Sequence, residues 1–218
     1  MSASPKLDFT PRVLSVQAGQ TRYQVLNLKP VRTAIGKEPL IGRVVIGTLG
    51  IDGDQQTDRR VHGGVERAVC VYCASSLQAW EAEWQRRLSP GSFGENLTVS
   101  GWTEQSVHIG DRFRFGSALL EVSQPREPCA NLANWLGVED LIARIRLNYR
   151  TGWYCRVIET GEGAPGLSLE REFEEPSRVS VAEAYRVRID RNASRSELRR
   201  VLEVPALSSG WKVSLGKR

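Results

Sequence analysis

"HIGDRFRFGSALLEVSQP" spans residues 108 to 125 and reads as a turn leading into two β-rich runs. Gly110 and Asp111 supply the turn, Gly116 and Ser117 separate the runs, and Pro125 closes the second. β-branched and aromatic residues suit a pleated, half-buried surface, and Gly, Pro, Asp and Asn punctuate it. The same rhythm runs from Val13 to about Leu169, through RVLSVQ (12–17), GRVVIGTLG (42–50), AVCVY (68–72), NLTVSG (96–101) and WYCRVIETG (153–161). Several such runs at short spacing predict a mainly β domain, a barrel or a sandwich, rather than a doubly wound parallel sheet.

Helices are peripheral to this pattern. SSLQAWEAEWQRRL (75–88) begins with capping serines and carries apolar residues at helical spacing. GVEDLIARIRLNYR (137–150) places Val138, Leu141, Ile142 and Ile145 on one face. Beyond Pro176 three short helices are predicted. SVAE (180–183) and SRSE (194–197) match the Ser-x-x-Glu capping box, which satisfies the free amides of a helix start. The third, SSGWKVSLGKR (208–218), follows Pro205 and has two candidate serine caps. Roughly 40 residues cannot support a large core, so this segment is expected to pack on the β domain or on a partner.

The chain has 218 residues, 40% of them apolar, which is enough for a packed core. No apolar run approaches the roughly 20 residues of a membrane-spanning helix. The opening MSASPKLDFTPRVLS has no apolar signal core, so a cytoplasmic location is expected. Cys70, Cys73, Cys129 and Cys155 are too few for a disulfide framework at this length and are expected as free thiols. The net charge of +5 comes from 30 basic and 25 acidic residues, intermixed. That balance suits an enzyme with an anionic ligand and makes nucleic acid the weaker partner class, although the last two helices are rich in Arg and Lys.

SQPREPCANLANWLG (123–137) holds a thiol in a stiff setting. Pro128 fixes its own φ and pushes Glu127 toward an extended backbone. Cys129 then precedes a helical turn, whose positive end, with Arg126 if it folds back, favours a thiolate. A thiolate is a nucleophile and a soft-metal ligand, whereas the commonest fate of a free cysteine is burial in the core. Cys70 and Cys73 have the spacing of a metal or redox pair, but on a strand their sulfurs face opposite sides, and His62 and His108 lack zinc spacing. Cys155 reads as core.

GIDGDQQTDRRVHGGVERAV (50–69) is a polar loop by default. It also offers a Gly63–Gly64 turn whose amides can cradle phosphate, with Arg59, Arg60, Arg67 and His62 nearby and Asp54 to orient the histidine or pin the loop. In SFGENLTVSG (92–101), Glu95 and Asn96 are either turn residues or partners for the edges of a flat ligand. Asp111 reads as structural.

These pieces recur together. TAIGK (33–37), LGIDGDQQTDRRVHGGVERAV (49–69), FGENL (93–97), IGDRFRFG (109–116), VSQPREPC (122–129) and RTGWYCRVIETG (150–161) stand in the order and spacing that resemble a MOSC domain. The terminal LSSGWKVSLGKR makes the chain similar to the YiiM subfamily of that family. The resemblance implies an extension over 1–24, a MOSC-type β-barrel domain over 25–170 and a small C-terminal three-helix segment over 178–218. It implies a molybdenum cofactor, a molybdopterin, with Cys129 as metal ligand and catalytic residue. Lys37, Arg59, His62, Gly63, Gly64, Asn96, Arg126 and Arg150 then hold the cofactor, and His62 or Asp54 supplies a proton. Pyridoxal phosphate is a second ligand that such a module admits. The implied activity is reduction of N-hydroxylated purines such as 6-hydroxylaminopurine, with a flavoprotein reductase as electron donor. A carrier of cofactor or of persulfide sulfur on Cys129, without turnover, is the alternative, and a homodimer is an expected assembly.

Overall fold

The computed structural model describes residues 10–57 and 63–218. Thirteen strands are present among them: β1 (Arg12–Ala18), β2 (Arg22–Leu26), β3 (Lys29–Thr33), β4 (Glu38–Pro39), β5 (Val44–Gly47), β6 (Gly50–Ile51), β7 (Val69–Cys73), β8 (Leu97–Ser100), β9 (Arg112–Phe115), β10 (Ala118–Pro125), β11 (Trp153–Glu159), β12 (Gly161–Gly163) and β13 (Leu169–Phe173). Six α-helices accompany them: α1 (Ala74–Trp84), α2 (Ala130–Leu136), α3 (Leu141–Asn148), α4 (Val181–Ile189), α5 (Arg195–Leu202) and α6 (Ser209–Leu215).

Eight strands form one sheet in the order β13-β9-β10-β11-β7-β8-β1-β4, and β12-β5-β6 form a second sheet of three. All pairs are antiparallel except β7 with β8. The architecture is a mixed β half-barrel with peripheral helices and a three-helix C-terminal segment, as the rhythm of short runs predicts. The stretch 108–125 supplies β9, the turn at 116–117 and β10, paired from Phe115 with Ala118 to Arg112 with Glu121. All eight residues of β10 are buried, which places it at the centre of the fold. The hairpin β2–β3 stands apart as a two-stranded sheet.

Helix α1 docks through aromatic stacking. Tyr72 stacks on Phe93 with centroids 4.3 Å apart, and Trp80 stacks on Trp84 at 4.7 Å. Trp80 donates its indole N–H to the Tyr72 hydroxyl (2.8 Å), which donates to the Arg150 carbonyl (3.1 Å), so these two rings keep their polar atoms satisfied in the core. The helix ends at Gln85, in a left-handed conformation, earlier than the periodicity over 75–88 predicts.

The C-terminal segment packs on the β domain. Val201, Val204, Leu207, Trp211 and Leu215 share one core with the sheet. Ser180 caps α4, Ser194 and Glu197 form the complete capping box of α5, and Ser208 caps α6. Ser209, the other candidate cap, donates instead from its backbone and its hydroxyl to Glu66 at 2.9 and 2.6 Å. Arg156 approaches the same carboxylate at 3.3 Å and donates to the Ala206 carbonyl at 2.9 Å. Arginines of these helices are engaged in ion pairs, Arg186 with Glu197, Arg200 with Glu183 and Arg188 with Glu127. No helix among the described residues is long and apolar enough to cross a membrane.

Glu104 lies fully inside. It accepts from the Gly152 amide (3.0 Å), the Ser76 hydroxyl (3.4 Å) and the Cys73 thiol (3.6 Å). Burial raises its pKa, and these hydrogen bonds only partly offset that. A carboxyl held above its unfolded value keeps its proton in the folded chain where the unfolded chain has lost it, so stability falls as pH rises through that window. Glu104→Gln is therefore expected to gain in melting temperature relative to the wild type as pH rises from the ordinary value of 4.5 toward the raised folded value. Differential scanning calorimetry from pH 4 to 8 checks this; a difference independent of pH counts against it.

Candidate functional site

The proline corner after β10 delivers Cys129 as the N-terminal capping residue of α2, with its φ at −113° and ψ at 164°. The Cys129 carbonyl accepts the first turn's amides from Leu132 and Ala133 at 3.0 and 3.3 Å. The corner is anchored by the Arg126 amide, which donates to the Gly152 carbonyl at 3.1 Å. Gly152 has φ +67°, and a Cβ there would lie 2.4 Å from the Val71 carbonyl, so only glycine lets β7 and the corner approach. Cys129 is half-buried against the core and opens into a cavity of about 350 Å³.

That cavity gathers residues from separate parts of the chain. Lys37 and Asp54 come from loops, Cys70 from β7, Asn96 from the turn just before β8, Tyr154 from β11 and Arg126 from the corner. Thr57 and Gly63, which flank 58–62 in the chain, both line it. Arg59 and His62 lie outside the described residues. Gly64 has a positive φ like Gly63, 81° against 83°, but does not line the cavity. Arg150 does not join it either: its guanidinium sits 5.2 Å above the Trp80 ring and 3.7 Å from Glu83.

Asp54 is a hub rather than a free acid. Its side chain, 1% exposed, pairs with Lys37 and accepts from the Gly19 amide (2.7 Å), Asn96 Nδ2 (2.9 Å) and Gln56 Nε2 (3.3 Å). Asn96 is committed as well. Its Oδ1 accepts from the Cys70 amide (3.0 Å) and its Nδ2 also donates to the Gln17 carbonyl (3.2 Å), so it positions Cys70 and Asp54 while lining the cavity. Glu95 organises the turn before β8 by accepting from the amides of Gly91 and Phe93 and the Thr98 hydroxyl at 2.7, 3.0 and 2.8 Å. Asp111 does the same for its own turn, accepting from the His108 and Glu175 amides at 3.0 Å.

Arg126 is 7% exposed, and its Nη1 has no hydrogen-bond partner among the described residues. Burial opposes its charge, but Cys70, Tyr154, Cys129 and Glu95 around it outweigh that and hold its pKa above the ordinary guanidinium value. A buried cation with an idle N–H bordering a cavity is a binding group for an anion. Cys70, which sequence reading left aside as a strand residue, shares the cavity, but burial pushes its thiol up to about 11 and Arg126 only partly counters this. Tyr154 keeps its phenolic proton because burial raises its pKa. Of the two sulfurs, Cys129 is the accessible one.

The chain matches a MOSC domain over residues 58–170 and a YiiM-like, 3-alpha helix domain over 179–218. It is 38% identical to YflK of Bacillus subtilis over 94% of this chain and 93% of that protein. It is 34% identical to YiiM of Escherichia coli, over 85% of this chain and 84% of that one. A protein of Gibberella moniliformis named as a reductase is 33% identical over 81% of this chain, which covers only 32% of the fungal protein. The crystal structure of YiiM from Geobacillus stearothermophilus superposes with a TM-score of 0.81 at 28% identity, covering 95% of this chain and 98% of that one.

Proposed function

The chain belongs to the MOSC-domain family and carries its YiiM-like three-helix extension, and from that membership we propose that it is a molybdenum-cofactor-dependent reductase of N-hydroxylated compounds such as 6-hydroxylaminopurine. The observation that carries this reading is the joint presence, in one cavity, of the accessible Cys129 sulfur and the idle N–H of buried Arg126. A soft heavy-metal centre with an anionic tail asks for such a pair of groups. A relative named as a reductase supports redox chemistry.

When bound, the cofactor supplies a two-electron redox centre, which is what reduction of N–OH to N–H requires. Cys129 would hold the metal. Arg126 and Arg67, with the Lys37 ammonium alongside, would hold the anionic part. Asp54 keeps Lys37 and the Gly19 loop in place and has no lone role as an acid, because its oxygens already accept four donors. Tyr154 retains a proton that its hydroxyl can present to the cavity. The 350 Å³ cavity is of the size that encloses small ligands and limits water around the reacting bond.

The test is to isolate the protein from a host that makes the cofactor, then to measure molybdenum, pterin and reduction of 6-hydroxylaminopurine with reduced methyl viologen. Molybdenum and pterin near one per chain, with turnover, is the expected result. A folded protein lacking both, or one that carries both and leaves the substrate unchanged, overturns the proposal.

A further inference from the structure

We propose that the outer face of the β2–β3 hairpin is a docking surface for a small acidic electron-carrier protein, placed at the edge of the cavity. In an antiparallel pair, directly opposed residues share a face. Tyr23 opposes Arg32 and Val25 opposes Pro30, so these four stand together. Tyr23 is 78% exposed, Val25 72% and Leu28, at the turn, 93%. On the opposite face Leu26 and Thr33 are buried, and a Cβ on Gly36 would meet Gln24 Nε2 at 3.0 Å and the Trp135 ring of α2 at 3.2 Å, while Arg22 and Lys29 stay exposed at its ends. The hairpin is thus fastened from behind to the helix that Cys129 caps, and its apolar outer side faces solvent.

Position and charge name the occupant. Arg32 belongs to the outer face by register and also lines the cavity, so the patch reaches the site. Residues 22–33 contain no carboxylate; Arg32 stands on the outer face and Lys29 adjoins Leu28 at the turn, while Arg22 lies on the other face, paired with Glu38 at 3.0 Å. A second copy would set like charges against each other on this face, whereas an acidic protein is attracted and steered to it. The exposed apolar residues beyond Tyr23 are aliphatic, which suits a protein surface better than the stacking of nucleic-acid bases. A hairpin of this size fits the small interfaces of transient electron-transfer encounters. The docking surface deepens the reductase reading, which needs electrons delivered at the cavity.

The experiment uses the cofactor-loaded full chain, with flavodoxin and a [2Fe–2S] ferredoxin as acidic probes. Binding is measured by biolayer interferometry at low and high salt for the wild type, for Leu28→Glu combined with Lys29→Glu, and for Tyr23→Ala. At least one carrier is expected to bind the wild type and to weaken with salt, with about tenfold or greater loss in the double variant and a smaller loss in Tyr23→Ala. Carrier-driven reduction of 6-hydroxylaminopurine is expected to fall in parallel, while viologen-driven turnover stays at the wild-type level. The proposal is overturned if neither carrier binds, if the variants bind as the wild type does, or if viologen-driven turnover falls equally. It is also overturned if the variants instead change the mass in light scattering or the affinity for single-stranded DNA. Carrier binding that responds to the variants in a protein without viologen-driven turnover would refute the reductase reading and leave the docking surface standing.

Discussion

Cys129→Ser is expected to lose bound molybdenum and more than about 100-fold of reductase activity, because even outer partners of a metal ligand cost about 10–100-fold when removed. Serine keeps the size and the helix-capping position but replaces a soft, acidic sulfur with a hard hydroxyl that stays protonated at neutral pH. The side chain is half-buried and its carbonyl, not its sulfur, starts α2, so stability should change by less than about 1 kcal/mol. Metal analysis and turnover, set beside a thermal melt, separate the two effects. The comparison variant is Cys70→Ser. Its thiol is pushed up to about 11 and is nearly sealed from solvent, so it should retain most of the metal. A Cys129→Ser protein with full metal content and full turnover would remove the basis of the proposed function, and one that loses turnover while keeping metal would favour a covalent role for the sulfur, such as a persulfide carrier.

Asp54→Ala carries the largest expected effect on stability. The wild-type carboxylate is 1% exposed and neutralises Lys37, itself 7% exposed, while tying together Gly19, Asn96 and Gln56. Removing it leaves a buried ammonium without its counter-charge and three donors without an acceptor. Breaking one side of a buried ion pair typically costs about 3–5 kcal/mol. Lys37→Met combined with Asp54→Leu removes both charges and is expected to recover part of the loss, since two apolar side chains have no unpaired charge to desolvate. Denaturation in urea measures both variants. A single-variant loss below about 1 kcal/mol would mean that the hub does not hold the loops that line the cavity.

Much of the fold was legible because it rests on local chemistry. The alternation in DRFRFG and ALLEVSQP gives β9 and β10, and Ser180 and Ser194 mark their helices through caps that need only the next three residues. The two prolines around Arg126 place Cys129 at a helix start for the same reason. Long-range partnerships were not legible. Asp54 meets Lys37 across 17 residues and Asn96 across 42, and no local pattern pairs them, so the sequence leaves Asp54 open between an acid and a loop pin and Asn96 between a turn residue and a ligand binder, whereas in the fold Asp54 ties the loops together and Asn96 positions it while lining the cavity. Cys70 reads as a strand residue because alternation reports which face a side chain takes, not whether that face borders a void. Arg150 reads as a cation for the ligand, but the nearby Trp80 ring and Glu83 claim it. Ser209 reads as a cap and instead finds Glu66, 143 residues away.

That last contact has a bearing on how such chains can be rearranged. Glu66 sits in the turn Val65–Arg67, directly after the paired glycines, and two groups of Ser209 hold it from the far end of the chain. A gene cut before Val179 would strand this anion beside Arg156 with half its ligature gone, and would bare the seat of Trp211. The barrel and its trailing helices are therefore coupled through residue 66. A lineage that discards the helices must first change residue 66 or recruit another cover, and wherever the helices persist, the acid at this position should persist with them.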